Sequence, residues 1–118
     1  TYAGNALACA AAHASLDLFE SEPRLAQVAA IERQLAEGLA GCRGMAGVRD
    51  VRVKGAIGVV EIEPGRDVDA LRARFVEEGV WVRPFGNVVY LMPPFVIGER
   101  DLDTLIGAVR KVLSEARA

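Results

Sequence analysis

The stretch RDVRVKGAIGVVEIE, residues 49–63, decides the fold class of this chain. Apolar and polar residues alternate over most of residues 49–54, which is typical of a half-buried strand. Gly55-Ala56 turns the chain, residues 57–63 supply a second strand rich in β-branched residues, and Pro64-Gly65 ends it. The stretch therefore predicts a β-hairpin.

Helical patterns lie on both sides of the hairpin. Asn5 precedes an Ala-rich helix, and Pro23 suits the first turn of a second helix. Asp67 is typical of the N-cap of a third helix, which ends at Gly79. A fourth helix runs from about residue 99 to residue 116. The four helices carry apolar residues at helical spacing: Leu7, Ala11, Ala14 and Leu18; Leu25, Val28, Ile31, Leu35 and Leu39; Val68, Leu71 and Phe75; and Leu102, Leu105, Ile106, Val109 and Leu113.

Two further strands are predicted after the third helix. Residues 80–83 form one strand, which a proline closes, and residues 88–92 form the other, after the turn signal Gly86-Asn87. Pro93-Pro94 forbids its continuation. The predicted order is α-α-β-β-α-β-β-α, which favours a largely antiparallel four-stranded sheet with helices on one face. We therefore expect residues 1–118 to form one α+β domain.

Composition and charge exclude several classes of function. The chain has 118 residues, 52% hydrophobic and 25% charged, with a net charge of −2. No block of Lys and Arg is long enough to contact a phosphate backbone, so we expect no nucleic-acid partner. The longest mostly apolar stretch, residues 6–16, is shorter than a membrane span, and no pattern of a signal peptide is present. The first residue is Thr1 rather than Met, which indicates that the chain continues a longer protein.

The two cysteines, Cys9 and Cys42, are far apart and lack the CxxC spacing of metal and redox motifs. Cys9 and His13 are one helical turn apart, but two potential ligands are too few for a structural zinc site. We expect free, buried and reduced thiols, which agrees with a cytoplasmic location.

Two groups of residues could be assigned a catalytic role, but each has a simpler interpretation. Cys9, His13 and Asp17 share one face of the first helix, where an ordinary local His–Asp contact is expected. Glu61 and Glu63 share one strand face and could form an acid–base pair, although solvated side chains on the wet face of a sheet follow the same pattern. No serine stands in a nucleophile elbow, and no phosphate-binding glycine loop occurs.

Arg83 is the strongest candidate for ligand binding. It ends a predicted strand on the same side as Trp81 and is followed by Pro84 and Phe85. Because the residue before a proline is held extended, the backbone directs this side chain with little freedom. A guanidinium fork beside Trp81 and Phe85 suits bidentate capture of a carboxylate in an apolar setting. An ordinary ion pair to an Asp or Glu elsewhere in the fold is the alternative.

Three stretches resemble the class III (fold type I) aminotransferases, and the likeness covers essentially the whole chain. Residues 4–12, GNALACAAA, resemble the helix that leads out of the large domain of those enzymes. Residues 51–61, VRVKGAIGVVE, resemble their first small-domain hairpin. The most specific stretch is residues 79–94, GVWVRPFGNVVYLMPP, which is similar to the matching region of the biotin-biosynthetic members. The resemblance implies that the chain is the C-terminal small domain of such an enzyme.

The resemblance also implies a substrate, a cofactor and partners. Enzymes of this kind are homodimers in which a lysine of the large domain forms a Schiff base with pyridoxal phosphate. S-adenosylmethionine donates the amino group, and 8-amino-7-oxononanoate accepts it. Thr1 matches the residue that holds the cofactor phosphate across the dimer interface. Arg83 matches the residue that pairs with the acceptor's carboxylate, and Phe85 is expected near that substrate.

The chain departs from the family pattern at several positions. Ala6 stands where a proline is common, and Asn87 stands where some relatives carry a basic residue. The only lysines, Lys54 and Lys111, do not match the Schiff-base lysine, so we expect the chain alone to be catalytically silent. A free-standing α+β module for ligand binding or assembly is the alternative interpretation.

Overall fold

The computed structural model describes residues 3–115 and confirms the α+β class. Helices α1 (Ala6–Ser21) and α2 (Arg24–Ala40) lead through a short 3₁₀ helix (Gly41–Gly44) to strands β1 (Val48–Lys54) and β2 (Ile57–Ile62). Helix α3 (Val68–Glu77), strand β3 (Val88–Leu91) and helix α4 (Glu99–Glu115) follow. The hairpin and the four helices are therefore confirmed.

The three strands form one antiparallel sheet in the order β1-β2-β3. Val60 on β2 lies opposite Val51 on one side and Val89 on the other, and all three side chains are buried. Their neighbour Val59 lies opposite Arg52 and Tyr90 on the other face, which is partly open to solvent. This alternation of buried and exposed residues gives the sheet one core face and one outer face.

The predicted four-stranded sheet is wrong by one strand. Residues 80–83 are extended, with Val80 and Val82 buried, but they form no ladder among the described residues. Only one isolated bridge, between Phe85 and Val88, connects this segment to β3. No further pairing between this segment and β3 is found among the described residues. The predicted alternation of buried and exposed residues is present, but no strand within the described residues pairs with this segment.

The core lies between the sheet and helices α2, α3 and α4. Helix α2 packs directly on β1 and β2, α4 packs against α2, and α3 packs against α4. Gly58 on β2 permits the close approach of α2, because a Cβ there would lie 2.9 Å from Cδ1 of Leu39. The predicted N-cap is confirmed, since the Asp67 carboxylate accepts hydrogen bonds from the N–H groups of Asp69 and Ala70.

Helix α1 has no buried residue. Its apolar side chains remain in solvent, and Cys9 is exposed with them, whereas Cys42 is buried. The expectation of two buried thiols is therefore wrong for Cys9, because its helix contributes nothing to the core. Among residues 3–115, no helix has both the length and the hydropathy that crossing a membrane requires.

Candidate functional site

The segment from Val80 to Phe85 presents a row of three exposed side chains. Trp81 is 71% exposed, Phe85 is 80% exposed, and Arg83 between them is also exposed. The alternate residues, Val80, Val82 and Pro84, are buried. Because the buried valines anchor the segment to the core, the three outward residues share one side of an extended backbone. Arg83 thus lies on the same side as Trp81, as the sequence predicted, although the segment that carries them is not a strand of the sheet.

A tight two-residue turn connects this row to strand β3. The N–H and C=O groups of Phe85 and Val88 exchange two hydrogen bonds, each 2.9 Å long. Gly86 occupies the turn with a φ of 56°, a left-handed conformation that a side chain would strain. The C=O of Asn87 also accepts a 2.8 Å hydrogen bond from the N–H of Ile62 on β2. The turn is therefore fixed to the end of the sheet by its backbone.

Arg83 makes neither an ion pair nor a side-chain hydrogen bond within residues 3–115. The carboxylates on the outer face of the sheet pair with other arginines. The guanidinium of Arg52 lies 2.7 Å from Asp50 and 2.8 Å from Glu61. Its hydrogen bond to Asp50 holds the pKa of that carboxyl below its usual value. The internal ion pair that was the alternative role for Arg83 is thus not found in the described part of the chain.

The other groups considered from the sequence form no catalytic arrangement. Cys9, His13 and Asp17 lie on the exposed helix α1, and no cluster of metal-ligating residues is present within the described range. Glu61 belongs to the ion-pair network with Arg52, whereas Glu63 is exposed, so the interpretation as the wet face of a sheet fits them better than an acid–base pair. Burial raises the pKa of the Cys42 thiol, which disfavours the reactive thiolate.

The contacts of Glu61 are what the sequence analysis missed. Its Oε2 accepts from Arg52 of β1, and its Oε1 accepts a long 3.4 Å hydrogen bond from Nδ2 of Asn87 in the turn before β3. Opposite charges on the two arms of a hairpin meet only in certain strand registers, and the sequence alone did not give the register. The charges of Arg52 and Glu61 were therefore only an indirect signal of this contact.

The residues described here do not fit a complete pyridoxal-phosphate site. Lys54 lies at the end of β1, and Nζ of Lys111 on α4 is engaged at 2.9 Å by Oε2 of Glu78. Thr1, which the family resemblance assigned to the cofactor phosphate, lies outside the described residues. A cofactor pocket therefore needs groups from other parts of a larger protein.

Two surface grooves in the described part of the chain are not lined by Arg83. The larger, about 1170 Å³, lies between the loop at residues 63–67, helix α3 and the end of α4. The smaller, about 550 Å³, lies between α2 and residues 95–99. Arg83 stands instead on an open surface, so an enclosing wall for its ligand must come from elsewhere.

A comparison with protein families shows which family this chain belongs to. The family model for class III aminotransferases matches residues 1–113. The chain belongs to the class III aminotransferases. The adenosylmethionine-8-amino-7-oxononanoate aminotransferase of Corynebacterium glutamicum is 45% identical over 96 residues, which are 81% of this chain and 23% of that protein. The protein of the same name from Buchnera aphidicola (Acyrthosiphon pisum) is 39% identical over 98% of this chain and 27% of its own length.

A solved structure shows the same fold. The crystal structure of adenosylmethionine-8-amino-7-oxononanoate aminotransferase from Methanocaldococcus jannaschii matches 93% of this chain and 28% of that chain, with a TM-score of 0.81 and 26% identity. The chain thus spans about a quarter of the length of the relatives it matches.

Proposed function

We propose that this chain is the C-terminal small domain of an aminotransferase that converts 8-amino-7-oxononanoate to 7,8-diaminononanoate in biotin biosynthesis. The names of the similar proteins support this reaction. The structural observation that carries it is Arg83, an exposed guanidinium without an internal partner in the described residues, between two exposed aromatic side chains. The acceptor offers the complementary groups, a terminal carboxylate on an aliphatic chain.

Arg83 binds the acceptor's carboxylate through two parallel N–H···O bonds, for which a planar guanidinium is better shaped than an ammonium group. Phe85, two residues along the same side, contacts the aliphatic chain and excludes water from the pair. Anchoring the far end of the substrate in this way orients its keto group for reaction. The domain's role is therefore to bind and orient the acceptor.

The rest of the reaction requires the full-length enzyme, which we propose is a cytoplasmic homodimer. The chemistry that pyridoxal phosphate supplies when bound is that of an electron sink. Its Schiff-base lysine belongs to the large domain, and Thr1 contacts its phosphate across the dimer interface. S-adenosylmethionine is the amino donor. Helix α1, whose apolar residues remain exposed, leads out of the large domain and packs against it. The domain alone is inactive.

Substituting Arg83→Ala in the full-length enzyme tests the proposal. Removing a buried charge partner costs about 2–5 kcal/mol of acceptor binding, so we expect a large rise in the KM for 8-amino-7-oxononanoate. The cofactor absorbance band and the KM for S-adenosylmethionine should change little. Arg83→Lys should recover only part of the affinity, because a lysine keeps the charge but loses the fork.

Arg100→Ala is the matched control, since Arg100 is an exposed arginine in the first turn of α4. It should leave both KM values unchanged. Wild-type acceptor kinetics in the Arg83→Ala enzyme would refute the proposed function. An uninterrupted reading frame upstream of Thr1 that encodes a large domain distinguishes the enzyme from a free-standing binding module.

A further inference from the structure

We infer that Glu61 is a positioning residue that holds the turn behind Arg83, an inference that rests on the carboxylate-binding role proposed above. Glu61 and Arg83 are far apart in the sequence. The carboxylate of Glu61 nevertheless lies between Arg52 on strand β1 and Asn87 in the turn that follows the row of three exposed side chains.

The first step is the attachment of Glu61 to the sheet. Oε2 of Glu61 accepts a 2.8 Å hydrogen bond from Nη1 of Arg52, and the same nitrogen lies 2.7 Å from Asp50. The Glu61 side chain is only 23% exposed. Its hydrogen bond raises the pKa of Arg52. One oxygen of the carboxylate is thus bound to Arg52, and the other lies 4.0 Å from Nη1 of Arg49 and within reach of the neighbouring turn.

The second step connects Glu61 to the turn. Oε1 of Glu61 accepts from Nδ2 of Asn87 at 3.4 Å. The backbone C=O of Asn87 is bound at 2.8 Å by the N–H of Ile62, the residue after Glu61. Asn87 is thus attached to the end of β2 through both its side chain and its backbone. Without the side-chain contact, the turn is held against the sheet only by its backbone, through the Ile62–Asn87 bond and the pairing of β3 with β2.

The third step connects the turn to Arg83. Phe85 and Val88 exchange two hydrogen bonds, and Pro84 joins Phe85 to Arg83 with a φ that its ring restricts. The backbone between Arg83 and Asn87 therefore has little conformational freedom. Bidentate capture of a carboxylate needs correct placement of two nitrogens, so a small tilt of the turn weakens it. Glu61 affects the ligand through Asn87 and the turn, without touching it.

The test uses Glu61→Ala, Asn87→Ala and the double variant in the full-length enzyme. Losing one such hydrogen bond should raise the KM for 8-amino-7-oxononanoate about two- to tenfold. The kcat and the KM for S-adenosylmethionine should stay at wild-type values. The double variant should resemble Glu61→Ala, because the contact that Asn87→Ala removes is already absent there. In an Arg83→Ala background, Glu61→Ala should have no further effect on the acceptor KM.

Glu63→Ala is the control, since Glu63 is exposed and has no side-chain partner among the described residues. Additive effects of Glu61→Ala and Asn87→Ala, or equal effects on donor and acceptor, would assign Glu61 a general structural role and overturn the inference. If Glu61→Ala does not fold, Asn87→Ala alone must still raise the acceptor KM. If Arg83→Ala raises the acceptor KM while Glu61→Ala and Asn87→Ala leave it unchanged, only this inference fails. If Arg83→Ala itself has no effect, the proposed function fails.

Discussion

Glu78, just after α3, joins this helix to α4 through charge. Its Oε2 lies 2.9 Å from Nζ of Lys111, and its Oε1 lies 3.2 Å from Nη2 of Arg74. The hydrogen bond from Lys111 is the main cause that holds the pKa of Glu78 below its usual value, and it raises the pKa of Lys111. Arg74 also pairs with Glu77 and Glu115. The two helices are thus connected by a network rather than by one isolated pair.

The contribution of Glu78 to stability should depend on pH. A carboxyl whose pKa is lowered by folding stabilises the fold at any pH above its ordinary value. That stabilisation is lost as the pH falls through the lowered pKa. Glu78→Gln should therefore reduce the free energy of unfolding at neutral pH and leave it unchanged in strong acid, as urea titrations at several pH values would show.

Glu63→Gln is the reference variant for that measurement, since Glu63 is exposed and unpaired within the described residues. It should not change the pH profile. A Glu78→Gln effect of equal size at neutral and acid pH would show that packing, rather than charge, explains the loss.

Helices α2 and α4 meet at Gly38. A Cβ at this position would lie 2.6 Å from Cγ2 and 2.9 Å from Cδ1 of Ile106, which is buried. The missing side chain lets the two helices approach closely. Gly107, by contrast, lies on α4 with no atom within 4 Å of the position a Cβ would take. Both glycines lie in helices, but Gly38 faces the side chain of Ile106 whereas Gly107 faces open space.

Gly38→Ala should therefore destabilise the chain although alanine favours a helix. Overpacking a filled core costs about 1–3 kcal/mol, while replacing glycine in a helix gains about 1 kcal/mol. We expect a net loss of up to about 2 kcal/mol, since both effects act at Gly38. Chemical denaturation monitored by circular dichroism measures this difference.

Gly107→Ala provides the comparison and should stabilise the chain by about 0.5–1 kcal/mol. Ile106→Ala should offset the Gly38→Ala loss in a double-mutant cycle, because it removes the atoms that clash. Equal effects of the two glycine substitutions would contradict the proposed close approach.

The whole molecule is more extended than a compact domain of its length. The Cα radius of gyration is 17.0 Å, whereas roughly 13.5 Å is expected for a compact chain of this size. None of the residues of helix α1 is buried. It exposes Leu7 at 81%, Leu16 at 61% and Phe19 at 53%. An apolar surface of this kind favours association.

The 118-residue chain by itself should therefore self-associate through α1. Replacing Leu7 and Leu18, which lie on one face of α1, with Gln should weaken association at least about tenfold, because each large apolar side chain contributes about 1.5–3 kcal/mol when buried. Sedimentation velocity over a range of concentrations measures the change. Val76→Gln, an exposed apolar position on α3, should have no effect. Unchanged association of the Leu7→Gln, Leu18→Gln variant would exclude this face of α1 as the contact surface.

The sequence by itself determined the features that depend on neighbouring residues. Alternation and the turn signal Gly55-Ala56 predicted a hairpin over residues 49–63, which the structure has from Val48 to Ile62, and the short polar side chain of Asp67 predicted the start of α3. The same alternation placed Trp81, Arg83 and Phe85 on one exposed side. These features follow from local backbone geometry, which a few consecutive residues control.

Only the tertiary structure decided which segments pair and which side chains meet. Residues 80–83 alternate as a strand does but form no ladder within residues 3–115. Cys9 lies on a helix that was predicted from the sequence, but this helix does not pack against the core, so the thiol is exposed. Glu61 contacts Asn87 only because β2 and β3 adopt one particular register. Pairing and burial join residues that are distant in the chain, and local pattern carries no information about the partner.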